Sequence, residues 1–279
     1  MDTRIDRPMS DSDIQDDHLE RFAAEGAAPL PFSHDQGYVT HDAARVWYAS
    51  YGAGSPIILL HGGNGHSGNW GYQVPTLIEN GYRVIVIDSR GHGRSTRDDQ
   101  PFTYQRMASD VLAVMDRLQV PRAGFVGWSD GAVIALTVAM KASARVSGIL
   151  FFACNVDPSG AKEITKLTPI LERCLSRHVR DYAQLSATPE DFKAFHQALS
   201  VMMTTQPNYT AADLEQVRVP VTVVHSEHDE FITREHAEYL ARTIPNAGLI
   251  HLAEVSHFAP LQRPALFNAA MLTFLRQAP

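Results

Sequence analysis

The sequence predicts an α/β fold: a mostly parallel, twisted sheet with helices on both faces and a helical lid inserted between two of its strands. Three observations carry this expectation. Short apolar runs alternate with helical stretches along most of the chain. The segment Gly127-Trp128-Ser129-Asp130-Gly131 stands where one apolar strand becomes an apolar helix. Between Asn155 and about Val217, helix follows helix with no strand between them.

Taken in order, residues from Met1 to about Phe32 are rich in Asp, Ala and Pro with little periodicity. Such composition suits a flexible or surface-hugging extension, with a short helix at His18 to Ala24. Gly37 to Tyr51 reads as a hairpin, with strands Tyr38-Val39-Thr40 and Val46-Trp47-Tyr48 around His41-Asp42-Ala43-Ala44. Then come strand Pro56 to Leu60, a helix near Tyr72 to Glu79, strand Tyr82 to Ile87 and helix Tyr104 to Leu118. Strand Ala123 to Val126 leads through the glycine-flanked serine into helix Ala132 to Ala142, and strand Ser147 to Phe152 follows. This alternation implies parallel strands buried on both faces.

The inserted segment shows two apolar stripes at helical spacing, Ile164, Leu167, Leu171, Cys174 and Phe192, Phe195, Leu199, Met202. Thr188-Pro189-Glu190-Asp191 opens the second with an N-cap, a first-turn proline and acidic residues. A helical lobe over strand ends acts as a lid. Strand Val221 to His225, helix Arg234 to Thr243, strand Gly248 to Leu252 and a final helix opened by Pro264 complete the chain. The expected division is an extension over 1–36, a core over 37–154 and 218–279, and a lid over 155–217.

With 279 residues the chain has ample material for one α/β domain and its lobe. A net charge of -7 with no dense Lys/Arg run argues against nucleic acid or an anionic membrane as partner and leaves a small, largely neutral molecule as substrate. Oligomeric state is not legible. The two cysteines, Cys154 and Cys174, read as reduced, partly buried thiols. No cationic, apolar leader and no stretch of transmembrane length is visible, so a cytoplasmic location is expected.

A serine on the tip of a sharp strand-to-helix turn takes strained backbone angles, and its neighbours must be small, which Gly127 and Gly131 satisfy. Serine at its free pKa is a poor nucleophile, so Ser129 needs a base and a carboxylate to orient that base. Chemistry in an open α/β sheet collects beyond the carboxyl ends of the strands. Of the thirteen histidines, His257 lies in the loop after strand Gly248 to Leu252 and is the candidate base. Asp229, after strand Val221 to His225, is the candidate acid, with Asp157, after strand Ser147 to Phe152, as its competitor.

An oxyanion needs two preorganised donors. The backbone N–H of Asp130, at the positive end of the helix, is one. The glycine-rich loop His61-Gly62-Gly63-Asn64-Gly65 offers the other, Gly63 before Asn64. Asn64, Trp128 and Met202 are candidate substrate contacts; Met202 and Met203 together suit a pliable acyl pocket and, more often, simple packing. Asp88-Ser89-Arg90-Gly91-His92-Gly93-Arg94-Ser95 reads as a tight structural turn. His225, Glu227, His228 and Asp229 invite a metal-cluster reading, but side chains of an extended segment alternate in direction and no distant ligand set stands out, so solvated loop side chains are the preferred reading. No metal or organic cofactor is expected.

His61-Gly62-Gly63, Asp88 through Ser95, the elbow, Asp229 and His257, in the chain order Ser, Asp, His, together resemble the α/β-hydrolase superfamily of serine hydrolases over about Gly37 to Pro279. The resemblance implies the fold and the catalytic machinery and is nearly silent on substrate. The elbow is similar to that of the biphenyl-hydrolase-like (valacyclovir hydrolase) group, in which the acidic residue after the nucleophile helps bind the amino group of amino-acid esters. By that resemblance Asp130 gains a side-chain role. The turn from Asp88 to Ser95 is similar to that of 3-oxoadipate enol-lactonases. Ester, lactone or C–C bond hydrolysis and perhydrolysis are all open to such a triad, as is ligand binding with vestigial turnover.

Overall fold

The computed structural model describes residues 18–277, so residues 1–17 of the expected extension lie outside the described residues. The chain begins with helix α1 (Leu19–Glu25), then strands β1 (Asp35–His41), β2 (Ala44–Tyr51) and β3 (Ser55–Leu60). Helix α2 (Gln73–Glu79), strand β4 (Tyr82–Ile87), helix α3 (Tyr104–Arg117), strand β5 (Ala123–Trp128), helix α4 (Asp130–Lys141) and strand β6 (Val146–Phe152) follow. The inserted segment contributes α5 (Pro169–Leu185), α6 (Phe192–Thr205) and α7 (Ala211–Leu214). The chain returns with β7 (Val221–His228), α8 (Arg234–Thr243), β8 (Ala247–Ser256), α9 (Ala259–Gln262) and α10 (Pro264–Gln277).

The eight strands form one sheet in the order β1-β2-β4-β3-β5-β6-β7-β8. β1 and β2 pair antiparallel, β2 joins β4 antiparallel, and every pair from β4 onward is parallel. The parallel strands are apolar throughout because each face is covered. The period of two sorts them: Ile58 and Leu60 face α3, α4 and α8, while Ile57 and Leu59 face α1, α2, α9 and α10. Strand order reverses between β3 and β5, so the loop after β3 and the turn after β5 open a crevice beside each other.

The inserted segment departs from its sequence pattern at two places. The stripe from Ile164 predicts helix before Pro169, yet α5 starts at Pro169, capped by the Thr168 hydroxyl on the Leu171 N–H. Ile164 and Leu167 lie outside the helix, 41% and 42% exposed, while Leu171 and Cys174 are buried as expected. A proline disfavours helical angles in the residue before it, which sets the boundary at Thr168. In the same way Pro189–Asp191 forms a short 3-10 turn ahead of α6, and the Thr188 side chain makes no cap bond.

Residues 18–33 do more than hug the surface. Leu19 and Phe22 of α1 are buried in the core layer that holds Trp70, Phe258 and Cys174. α1 packs on α5, and Arg177 of α5 donates to the Ala24 carbonyl at 3.4 Å.

Candidate active site

Ser129 joins β5 to α4 with φ 54° and ψ -126°, an unusual region for a residue with a side chain. The turn is tight enough to exclude side chains on either flank. A Cβ on Gly127 would lie 2.4 Å from Ala132 Cα, and one on Gly131 would lie 2.1 Å from the Leu60 carbonyl oxygen. Ser129 N–H donates to Phe152 O at 2.8 Å, tying the turn to β6. Burial pushes the thiol of Cys154, just past the end of β6, well above its ordinary pKa, and Asp130 acts in the same direction.

β7 and β8 are adjacent and parallel, so the residues after them meet. His257 Nδ1 lies 3.1 Å from both Asp229 Oδ1 and Oδ2, with both side chains buried. Burial alone would raise the Asp229 carboxyl. The facing imidazole and the hydrogen bonds donated by His257 and by the Phe231 and Ile232 amides outweigh it, and the group is held below the ordinary carboxylate range. For His257, burial disfavours the charged ring, but Asp229 prevails and the net shift is upward. Trp128, Phe152 and Phe231 wall the imidazole, with ring centroids at 6.1, 6.5 and 4.6 Å.

Asp157 stands elsewhere. Its half-buried carboxylate accepts from the Ser159 amide and hydroxyl and caps a short turn. Glu230 is the carboxylate that does approach His257, accepting its backbone N–H at 2.9 Å, and burial raises it to about 7.

The loop after β3 is built to aim an amide. His61 Nε2 accepts from the Ser89 N–H at 3.0 Å, so its Nδ1 carries the proton and donates to Gly62 O at 2.8 Å. Gly65 N–H donates to the same carbonyl. The Gly62 carbonyl is thereby fixed, and in a trans peptide the Gly63 N–H points the opposite way. A Cβ on Gly62 would lie 3.0 Å from Ser129 Cβ, and one on Gly63 would lie 2.7 Å from Asp130 Oδ2 and 3.1 Å from Met203 Sδ. The loop thus passes directly over the elbow.

Asp130 opens α4. Tyr104 donates to its Oδ1 at 2.6 Å, Oδ2 is buried with no partner, and burial raises the carboxyl to about 6. The remaining expected contacts are disposed differently. Met202 is 1% exposed within the core, and Met203, one residue and 100° further round α6, is the methionine over Gly63. The Trp128 ring turns into an aromatic cluster with Trp70 and Phe258, so it backs the site rather than lining it openly. Asn64, at φ 61°, gives its side chain to His196 of α6, with Oδ1 2.9 Å from Nδ1.

The segment Asp88 to Ser95 forms the tight turn its glycines predict. Asp88 accepts from the Ser67 and Arg94 amides, and Arg90 is buried against Asp110. Tyr104, Cys154 and His196 carry no sequence signature of a site; only their approach in the fold places them here.

Residues 57–270 match the model of the alpha/beta hydrolase family. The chain belongs to that family. Among relatives of this α/β hydrolase, rhodomycin D methylesterase DnrP of Streptomyces peucetius is 26% identical, covering 86% of this chain and 98% of that one. Serine hydrolase BPHL of Mus musculus is 25% identical over 91% of this chain and 90% of its own. The solved structure of Est816, described as an N-acyl homoserine lactone degrading enzyme, superposes with a TM-score of 0.68 at 28% identity, covering 85% of this chain and all of that one (100%). These relatives include an esterase and a lactone-degrading enzyme, as the shared scaffold allows.

Proposed function

We propose that the protein is a serine hydrolase that cleaves an ester-type bond of a small, largely neutral molecule through an acyl-enzyme intermediate. The observation that carries this reading is the pairing of His257 with both oxygens of a buried Asp229 on the strand-end rim where the strained Ser129 turn also stands. His257 takes the Ser129 proton through Nε2 as the hydroxyl oxygen attacks the carbonyl. The Gly63 and Asp130 amides hold the oxyanion, the second at the positive end of α4. His257 then protonates the leaving oxygen and activates water for deacylation, while Asp229 stabilises the imidazolium. The esterase among the relatives supports the same bond class.

Purified wild-type protein should hydrolyse short p-nitrophenyl esters and be labelled at Ser129 by a fluorophosphonate. Ser129→Ala should lose about a million-fold in turnover, the usual cost of removing a triad serine. Undiminished turnover in that variant would sink the assignment.

A second reading concerns the substrate. The buried, unpartnered Asp130 Oδ2 beside Gly63 suits a cationic amine close to the scissile carbonyl. The likeness of the elbow to the biphenyl-hydrolase-like group supports an amino-acid ester in that place.

A further inference from the structure

We infer that His196 of the lid is a positioning residue for the oxyanion loop, and that through it closing the lid and setting the loop are one event. The inference rests on the proposed role of the Gly63 amide.

The geometry comes from two contacts on one face of α6. His196 and Met203 are seven residues apart, two helical turns, and so project on the same side. His196 Nδ1 is 2.9 Å from Asn64 Oδ1, and Met203 Sδ covers Gly63. Gly63 and Asn64 are the central residues of the turn closed by Gly65 N–H on Gly62 O, and Asn64 sits in the left-handed region. From below, His61 and Gly65 secure the Gly62 carbonyl. Asn64 Oδ1 has His196 as its hydrogen-bond partner, so the outer edge of the turn is secured from the lid.

α6 is itself seated firmly. Phe195 is fully buried, with its ring 4.7 Å from His92 and 5.0 Å from Tyr182, and the His196 ring stacks on Phe192 at an interplanar angle of 5°. The imidazole is therefore delivered to Asn64 with little remaining freedom. Displacing α6 from the loop breaks the hydrogen bond and uncovers Gly63 together. The turn then keeps its inner bonds and loses its outer restraint, leaving the donor set for the transition state only when the lid is down.

The test compares His196→Ala with His196→Asn. Asparagine places an N–H donor as many bonds from Cα as histidine Nδ1, so it can restore the bond to Asn64. Asn64→Gly removes the acceptor while accepting the left-handed backbone. For p-nitrophenyl ester hydrolysis, His196→Ala should lower kcat about 10- to 100-fold with KM changed less than about threefold. An oxyanion donor acts mainly on the transition state, and losing one outright costs about a hundred- to thousand-fold. His196→Asn should stay within about threefold of wild type. The His196→Ala and Asn64→Gly losses should not multiply in the double variant, because both remove one bond. Fluorophosphonate labelling of Ser129 should slow in parallel with kcat.

Equal impairment of His196→Ala and His196→Asn, losses that multiply, or an effect confined to KM or to melting temperature would each overturn the inference. If wild-type Ser129 is labelled but His196→Ala reacts at the wild-type rate, the inference alone fails. Wild-type protein that is not labelled removes the proposed function and this inference with it.

Discussion

Asp130 is the residue at which the two substrate readings part. In the proposed mechanism its backbone amide holds the oxyanion, whereas its carboxylate, raised to about 6 by burial, has one oxygen on Tyr104 and the other unpaired. Asp130→Asn preserves the amide and the side-chain shape while removing the charge. If an amine binds there, kcat/KM for an aminoacyl ester should fall about 10- to 100-fold relative to a matched ester lacking the amine, the range expected when a buried charge loses its partner. The wild-type preference should also fade as pH drops through about 6 and the carboxyl protonates. Equal losses for both esters would exclude the amine reading. Ser129, Asp229 and His257 were legible as candidates because each follows an apolar strand. The Tyr104 contact was not, since it joins the start of α3 to the start of α4 across twenty-six positions of sequence.

At the scale of elements, the helices were legible where apolar periodicity followed a proline at or just before the start, as with Pro189 ahead of α6 and Pro264 in α10. The stripe that began at Ile164 misled because spacing alone continues through a proline boundary that the backbone does not cross. The role of α1 was hidden for a different reason: seven residues carry too few apolar positions to show which face is buried. Phe22, 3% exposed and 5.9 Å from His178 in ring-centroid distance, fastens α1 against α5. Phe22→Ala should destabilise the fold by about 3 kcal/mol or more, as a buried phenylalanine truncation does. Thermal unfolding should show a melting temperature several degrees lower; an unchanged value would mean that α1 is dispensable to the lid.

Across the whole molecule, the polar interior is rich in neutral histidine. Burial holds His61 and His178 down to about 4 and His92 to about 3, against 6.5 in an unfolded chain. A group whose folded pKa is depressed in this way binds its proton first in the unfolded state. Its stabilisation is present above pH 6.5 and is lost as pH falls toward 4, on the order of 3 kcal/mol for each histidine. Asp130 and Glu230 act in the opposite sense between about 4 and 7, because burial keeps them protonated in the folded state. His257, raised by Asp229, acts with those two carboxyls, whereas His225 and His236, lowered by burial, act with the three histidines, and Asp88 and Asp229, held below their ordinary values, add to them at lower pH. The urea midpoint should therefore fall between pH 7 and 4.5, and a rise over that range would contradict the buried neutral state of these rings.

By itself, the sequence determined the alternation that makes a parallel sheet and the glycine-flanked turn that only a strand-to-helix junction requires. It also set the order in which serine, aspartate and histidine reach the rim. These features are local, since hydrophobic period, proline, glycine and strand ends act over a few residues. Tertiary structure alone decided that Asp229 rather than Asp157 meets His257, that Met203 rather than Met202 covers Gly63, and that a lid histidine holds Asn64. Those choices depend on a rotation of one helical residue or on contacts between segments far apart in the chain, and neither leaves a periodic trace in the sequence.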